Sequence, residues 1–591
     1  MSTIKPKKTI TLQDQTNILP KKQLVVAFAA LSLGLLVSFI DQTSTNINQP
    51  EIAADLNALS TVSWAGTSMF IGQTVFQILS GRLSDIFNRK NVLLFCLVLL
   101  MLTQLATSFC KTATQLFIFR GFAGLANGGI TSLTMMAVSD IVTLEERGKY
   151  QGILGTCVAL GNAIGPFISS GFAKSVNWKG IYWLACPLTA CVTIVSYFFV
   201  PKPPNFDFKW KNFKKIDYYG FFTSVTGIIL FLVAISAGGN TYSWNSNLVI
   251  VLLTIGSFFL ILFFITQWKI SKLPMMPLRL YKDPSIALML FQNILFGIVY
   301  STNISFIPLY FELVRGHSAI SAACLSLPMV LTQSVSGTIC GFLISKYKRY
   351  NFVIQYGFTM WTLGVALQMG LFNQSIPTVG LCFIMLVQGA GIGGVFQPTI
   401  VALQAHCLPV DRAVVIATRN FNRSVGGSVG IAAATSIMSN TFKSKLSKLQ
   451  LDLTTEQIAS LEKNIFGRVD MSHYSASDKI KVKKVIYQSL HSVFIFLLPL
   501  IAFCWITCFL IKDSGLSRPE DKITKHEDQE EDEEEESEKV KIDNTNASTH
   551  DLDAENINLP ENQKDFDELN SINSLDSTND VPVTVKALNS H

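Results

Sequence analysis

The chain has 591 residues, of which 49% are hydrophobic and only 15% charged, and its mean hydropathy is positive. Soluble chains of this length carry about 25% charged residues, so the composition argues against an ordinary soluble protein. The net charge of +6 hides two opposed parts: residues 512–591 hold 8 Lys/Arg against 23 Asp/Glu, leaving 39 against 18 for residues 1–511.

Residues 1–23 form a polar, basic N-terminal arm (Lys5, Lys7, Lys8, Lys21, Lys22) with no apolar core of a cleavable signal. From residue 24 on, apolar residues arrive in blocks of about 18 to 25, enough to cross roughly 30 Å of hydrocarbon as helix. Helices satisfy their own backbone groups inside lipid, which segments of this kind require. Six spans are predicted at 24–41, 62–80, 91–109, 114–138, 149–173 and 178–200. Two follow at 218–237 and 247–266, and six more at 284–305, 319–343, 351–372, 376–403, 413–439 and 486–511. The expected fold class is an all-α polytopic membrane protein.

Lys and Arg collect in alternate loops: Arg82, Arg89 and Lys90; Lys202 to Lys215; Lys269 to Lys282; and Lys346, Lys348 and Arg349. The loops at 238–247 and 373–377 lack them. The positive-inside rule then places both termini in the cytoplasm, which requires an even number of spans. The lysine-rich loop 441–485, expected on the other side, is an exception, and long loops obey the rule poorly. The tail 512–591, with EDQEEDEEEESE at 527–538, has too few apolar residues to fold alone and reads as a disordered acidic segment. Topology and anionic lipid account for the positive membrane part, so no nucleic-acid partner is implied. The eleven cysteines fall in or beside apolar runs without a CxxC pair and read as buried thiols. No Walker loop and no His/Cys cluster appears, so no ATP-driven pump, metal or cofactor is expected.

Charges inside spans cost about 2.5–3.5 kcal/mol each on insertion scales. Asp41 follows AALSLGLLVSFI and is either a cavity carboxylate able to take up and release a proton or a charge at the span's wet end. Arg120 interrupts LFIFRGFAGLANGG and must pair, snorkel or face water. Glu312, in FIPLYFELVRGHS, either lines a substrate path that would favour cations or is interfacial beside Arg315. In QGILGTCVALGNAIGPFISSGF, Gly161 and Gly165 stand four apart and clear one helix face, while Pro166 removes a backbone donor and loosens the helix. GRLSDIFNRK places Gly81, Asp85, Arg89 and Lys90 between the second and third spans, a pattern suited to a cytoplasmic latch.

Together these segments resemble the major facilitator superfamily, specifically its fungal fourteen-spanner drug:proton antiporter family, over about residues 25–511. GRLSDIFNRK is similar to the family loop motif G-x-L-a-D-r-x-G-r-k, with Asn88 in place of its second glycine. Gly152, Gly161, Gly165 and Pro166 match the fifth-span antiporter motif in spacing, with Ser169–Ser170 where it closes on glycines. DQTSTNINQP resembles D-x-T-x-x-N-x-A-x-P of the first span, with Asn48 replacing Ala, and RGFAGLANGG resembles R-x-x-Q-G-x-G, with Ala123 replacing Gln. The resemblance implies two six-helix bundles (24–200 and 284–511) flanking a linker with two inserted helices (201–283). It also implies Asp41 as a cavity carboxylate coupled to protons with Arg120, the loop motif as a cytoplasmic gate, and Thr45, Asn48 and Glu312 on a candidate substrate path. The expected function is not enzymatic: proton-coupled export of hydrophobic or cationic small molecules, at the plasma membrane. The alternatives are vacuolar exchange of basic amino acids for protons and, remotely, a non-transporting nutrient sensor.

Overall fold

Helix α1 spans Lys21–Ile47, six residues beyond the apolar block that predicts it. Its polar end stays helical because hydroxyls turn back on the helix: Thr43 donates to the Phe39 carbonyl at 3.0 Å and Ser44 to that of Ile40 at 2.5 Å. Asp41 therefore lies inside the helix rather than at its end. A short α2 (Gln49–Asp55) is followed by α3 (Trp64–Phe87), α4 (Arg89–Ser108), α5 (Ala113–Ile141), α6 (Arg147–Ser175) and α7 (Gly180–Phe199). Next come α8 (Tyr218–Ala237), α9 (Asn247–Ile265), α10 (Pro284–Leu313), α11 (Ala319–Tyr347) and α12 (Asn351–Leu371). The chain continues through α13 (Thr378–Phe396), α14 (Pro398–His406), α15 (Arg412–Leu446) and α16 (Ala476–Cys508). The block predicted at 376–403 is thus two helices, because Pro398 cannot donate to the ladder and instead opens α14.

This computed structural model describes residues 18–448 and 476–516, apart from 57, 59, 60, 62, 63, 203–214, 240, 241 and 373–375. The first seventeen residues of the basic arm, most of the loop 441–485 and nearly all of the acidic tail lie outside the described residues. Among the described helices fourteen have 19 residues or more. Nineteen residues rise about 28 Å, close to the thickness of a hydrocarbon core. Ten of these segments are apolar enough to cross a membrane by length and composition. The other four are α3, α5, α12 and α15, and three of them hold buried charge: Arg82, then Arg120 and Asp140, then Arg412 and Arg419. Large exposed side chains such as Phe198 on α7 and Phe258 and Ile261 on α9 suit contact with lipid. All eleven cysteines are free thiols.

Packing sorts the long helices into two sets of six: α1 and α3–α7 in the first half, α10–α13, α15 and α16 in the second. Helices α8 and α9 pair with each other, and α8 lies along α3 and α15. The halves meet along two seams, α3 against α15 and α6 against α11. Glycines let these seams close. A Cβ on Gly81 would stand 2.9 Å from the Ala417 Cβ, and one on Gly148 would stand 2.7 Å from the Gly341 carbonyl oxygen.

The halves also repeat a turn. GRLSDIFNRKN between α3 and α4 aligns with GFLISKYKRYN between α11 and α12. In each, the residue seven after the first glycine turns left-handed: Asn88 at φ +76° and Lys348 at φ +57°, the two non-glycine residues with positive φ among those described. Asn88 stands where the related motif has glycine, and asparagine tolerates this region better than most residues. Its side-chain oxygen also accepts the Lys90 backbone N–H at 3.1 Å and so caps α4.

Candidate functional site

Asp41 and Arg120 meet inside the first half. The Arg120 Nη1 donates to Asp41 Oδ1 at 3.1 Å and to Oδ2 at 3.3 Å, and Nη2 donates to the Asp41 carbonyl at 3.3 Å. Both side chains are about 1% exposed, so the pair is a buried ion pair rather than two surface charges. Asn127 Nδ2 donates to Asp41 Oδ2 at 2.9 Å, and its own oxygen accepts from Ser38 at 2.7 Å. Gln104 on α4 reaches Asp41 Oδ1 at 3.5 Å and is held by Thr189 of α7 at 2.9 Å. The Tyr182 ring lies 5.7 Å from the Arg120 guanidinium, and its hydroxyl is 3.0 Å from Thr45 Oγ1. An ionised carboxylate accepts all these donors, whereas a protonated one has an oxygen that must donate. One proton on Asp41 would therefore discharge the pair with Arg120 and cost one of the two carboxyl oxygens its donors: Arg120 and Asn127 at Oδ2, or Arg120 and Gln104 at Oδ1.

The loop motif forms a second ionic cluster where α3 ends and α4 begins. Asp85 Oδ1 accepts from Arg89 at 2.6 Å and Oδ2 from Arg82 at 3.2 Å, while Arg89 Nε donates to Asp140 at 2.9 Å. Arg82 also reaches the second half at Asp411 (3.5 Å), which Arg279 holds at 2.8 Å. Lys90 lies 5.6 Å from the Tyr197 ring and takes no part in this cluster. Neutral contacts continue up the seams: Gln404 to Ser139 at 2.9 Å, Asn420 to Ser132 at 3.3 Å, Ser424 to Gln77 at 2.6 Å, and Thr156 with Thr338 at 2.7 Å. Lys348 pairs with Glu145 across the same end at 2.9 Å. The halves are thus latched together at their basic end.

The glycines of α6 serve two neighbours. A Cβ on Gly161 would meet the Phe39 Cβ at 2.7 Å, and one on Gly165 the Thr43 Oγ1 at 2.2 Å, so both admit α1. Gly152 instead faces α11, where a Cβ would lie 3.0 Å from the Gly337 carbonyl. Pro166 sits within α6 next to the α1 contact. Asn48, at the C-cap of α1, is 2% exposed with its side-chain oxygen unpartnered. Glu312 occupies the last turn of α10, in the second half, and is half-buried; it is not among the residues that meet Asp41.

The description Major Facilitator Superfamily belongs to the family model that matches residues 31–431. The chain belongs to that superfamily. Among curated relatives of this major facilitator, Citrate exporter 1 of Yarrowia lipolytica is 42% identical over 516 residues, 87% of this chain and 76% of the relative. Efflux pump dotC of Dothistroma septosporum is 30% identical, over 73% of this chain and 74% of the pump. Among solved structures, the proton:xylose symporter XylE matches with a TM-score of 0.55 at 12% identity, covering 84% of this chain and 98% of that one. A bacterial homologue of the lysosomal transporter Spinster, in an inward-facing and occupied conformation, matches at 0.53 and 14% identity over 84% and 98%. These two likenesses are of fold. The chain is a multi-pass membrane transporter of small molecules and not an enzyme.

Reading the sequence alone pairs Asp41 with Arg120 and groups Asp85 with Arg89, but misses the further partners that complete these clusters. Asn127 lies seven residues after Arg120 and so on the same face of α5, a signal that was available. Gln104, Thr189 and Tyr182 come from α4 and α7, and nothing in their spacing announces that those helices close around α1.

Proposed function

We propose that this major facilitator is a proton-coupled secondary transporter of the fungal fourteen-spanner antiporter type, moving small molecules out of the cytosol by alternating access. The observation that carries the reading is the buried Asp41–Arg120 pair with Asn127 and Gln104 around the carboxylate. A proton arriving at Asp41 discharges its ion pair with Arg120 and turns one of its oxygens from acceptor into donor, which weakens the tie between α1 and α5. Because α1 is also the helix that Gly161 and Gly165 bring against α6, loosening it changes the packing of a helix at the seam. The positive-inside rule favours a cytoplasmic position for the latched, basic end, and on that reading the state described is closed toward the cytosol. Neutral seam contacts such as Asn420–Ser132 and Thr156–Thr338 suit repeated opening, since water can replace each partner.

The relatives support export, one being named a citrate exporter and the other an efflux pump, and export goes with a plasma-membrane location. A cationic cargo, to which Glu312 points, has less support than an anionic one. Glu312 lies in the last turn of α10, whereas two arginines inside the second half, Arg419 and Arg423, have no acidic partner among the described residues. The efflux relative favours a second reading with apolar cargo.

The test is purified protein in liposomes carrying a pH-sensitive dye, with a panel of carboxylates and of hydrophobic toxic compounds supplied in turn. Proton flux should appear only with a transported compound. Flux of cargo with no accompanying proton movement would remove the antiport claim.

A further inference from the structure

The second half holds two arginines that, unlike Arg120, have no carboxylate partner among the described residues. Arg419 and Arg423 stand one turn apart on α15, and their guanidinium carbons lie 4.9 and 5.0 Å from the centre of the Phe396 ring. Arg419 is fully buried. Its terminal nitrogens donate to neutral acceptors: Asn420 Oδ1 at 3.0 Å, Thr399 Oγ1 at 3.4 Å and the Phe396 carbonyl. Arg423 is partly exposed, and among the described residues it has no hydrogen-bond acceptor. Neither arginine has a carboxylate partner among the described residues. Leaving one such charge unbalanced in a span is costly, and here two stand together.

The surroundings are polar groups waiting for a partner. Gln397, 2% exposed, has neither its side-chain oxygen nor its nitrogen satisfied, and it reaches to within 3.3 Å of where a Cβ on Gly155 of α6 would stand. Gln333 presents an unpartnered oxygen, and its amide meets the Tyr300 hydroxyl, itself within electrostatic range of Arg423. The Nε of each arginine is also unpartnered. The Phe396 and Tyr300 rings, 6.3 Å apart, add an apolar wall. The group therefore lies between α10, α11, α13 and α15, where the second half meets α6.

We infer that Arg419 and Arg423, with Gln397, Gln333 and Tyr300, form the binding site for a small organic anion carrying at least two carboxylates. Two uncompensated cations match a dianion better than a monoanion. The free fork of Arg423 takes one carboxylate in two parallel hydrogen bonds, Arg419 supplies the second charge and its Nε, and the amides take the remaining oxygens. The inference deepens the transporter reading and rests on it for the cargo's passage, although binding itself needs no proton gradient.

Equilibrium binding to the full-length protein in detergent, without a gradient, tests it. Radiolabelled succinate and tricarballylate are the probes; acetate, sulfate and tetraphenylphosphonium are the competitors. At least one probe should bind saturably and raise the melting temperature, with acetate and tetraphenylphosphonium failing to compete. Arg423→Gln should weaken binding roughly 10- to 100-fold, as expected for charge-assisted hydrogen bonds, while the ligand-free protein melts no lower than wild type. Arg423→Lys should recover part of the loss. Saturable binding untouched by Arg423→Gln and Arg419→Gln, or no binding of either probe to wild type, would overturn the site. Sulfate competing as well as the probes would overturn its organic character. Asp41→Asn should still bind the anion; a wild-type protein that binds the anion yet shows no cargo-linked proton movement in liposomes would sink the coupling reading and leave this site standing.

Discussion

Replacing Asp41 by Asn separates what the buried pair does for stability from what it does for transport. In the wild type Arg120 holds both carboxylate oxygens at 3.1 and 3.3 Å, with both side chains about 1% exposed. Removing one member of such a pair leaves a buried charge without its partner and costs about 3–5 kcal/mol. The asparagine keeps the shape and one accepting oxygen, so the loss should fall at the lower end of that range. The double variant Asp41→Asn with Arg120→Gln removes both charges and should recover most of the stability, because neutral side chains of similar volume replace a desolvated pair. Neither protein should couple cargo to protons. The assay has two arms: thermal unfolding in detergent, and cargo-driven pH change in liposomes. A single variant that melts low beside a double variant that melts near wild type, both uncoupled, is the expected pattern. Coupling restored in the double variant would refute the reasoning, since no carboxylate would remain in the cluster to carry the proton.

Three further substitutions probe the seams and the latch. Gly81→Val places methyl groups beyond a Cβ already 2.9 Å from that of Ala417; it should prop open the basic end, and a cysteine put at Ser132 should label faster from that side. Gly165→Leu meets the backbone of Ile40, whose carbonyl oxygen would be 3.1 Å from the new Cβ, and should cost about 1–3 kcal/mol by overpacking, read as a lower melting temperature and reduced folded yield. At Asn88, with φ +76°, glycine should be tolerated with a loss of only a few tenths of a kcal/mol from the cap. Valine there should cost about 1–2 kcal/mol, measured by the same melts.

The helical membrane fold was legible because hydropathy alone separates lipid-crossing blocks from loops, and the charged helices α3 and α5 were also recoverable from their motifs. Two boundaries were not. The first span continues past Asp41 because Thr43 and Ser44 satisfy themselves on their own helix, which a hydropathy scale counts as polarity. The span at 376–403 breaks at Pro398, whose consequence depends on whether α14 can pack separately. At the ionic clusters the residues of one sign were readable and their partners less so. Asp140 is the acid that Arg89 reaches, and Asp411 the one that joins Arg82 to the second half, yet each lies far along the chain from its arginine. Such pairs follow from which helices become neighbours, and helical periodicity carries no information about that.

The repeated architecture sharpens the division between the halves. Where α1 sends Asp41 to Arg120 of α5, α10 sends Asn303 to Gln388 of α13, with the amide nitrogen 3.2 Å from the Gln388 oxygen. Gln388 in turn donates to Gln368 at 2.7 Å. The same position, between the first and fourth long helices of each half, thus holds an ion pair in one and a chain of neutral amides in the other. An amide does not titrate, so a proton can act at this position only in the first half. The second half, freed from holding a carboxylate there, carries its two unbalanced arginines one helix over, on α15. On the proposed reading the asymmetry has a direct consequence. A proton at Asp41 leaves Arg120 without its counter-charge, while an anion at Arg423 supplies the counter-charge that the second half lacks. The two events therefore change the balance of buried charge in opposite directions.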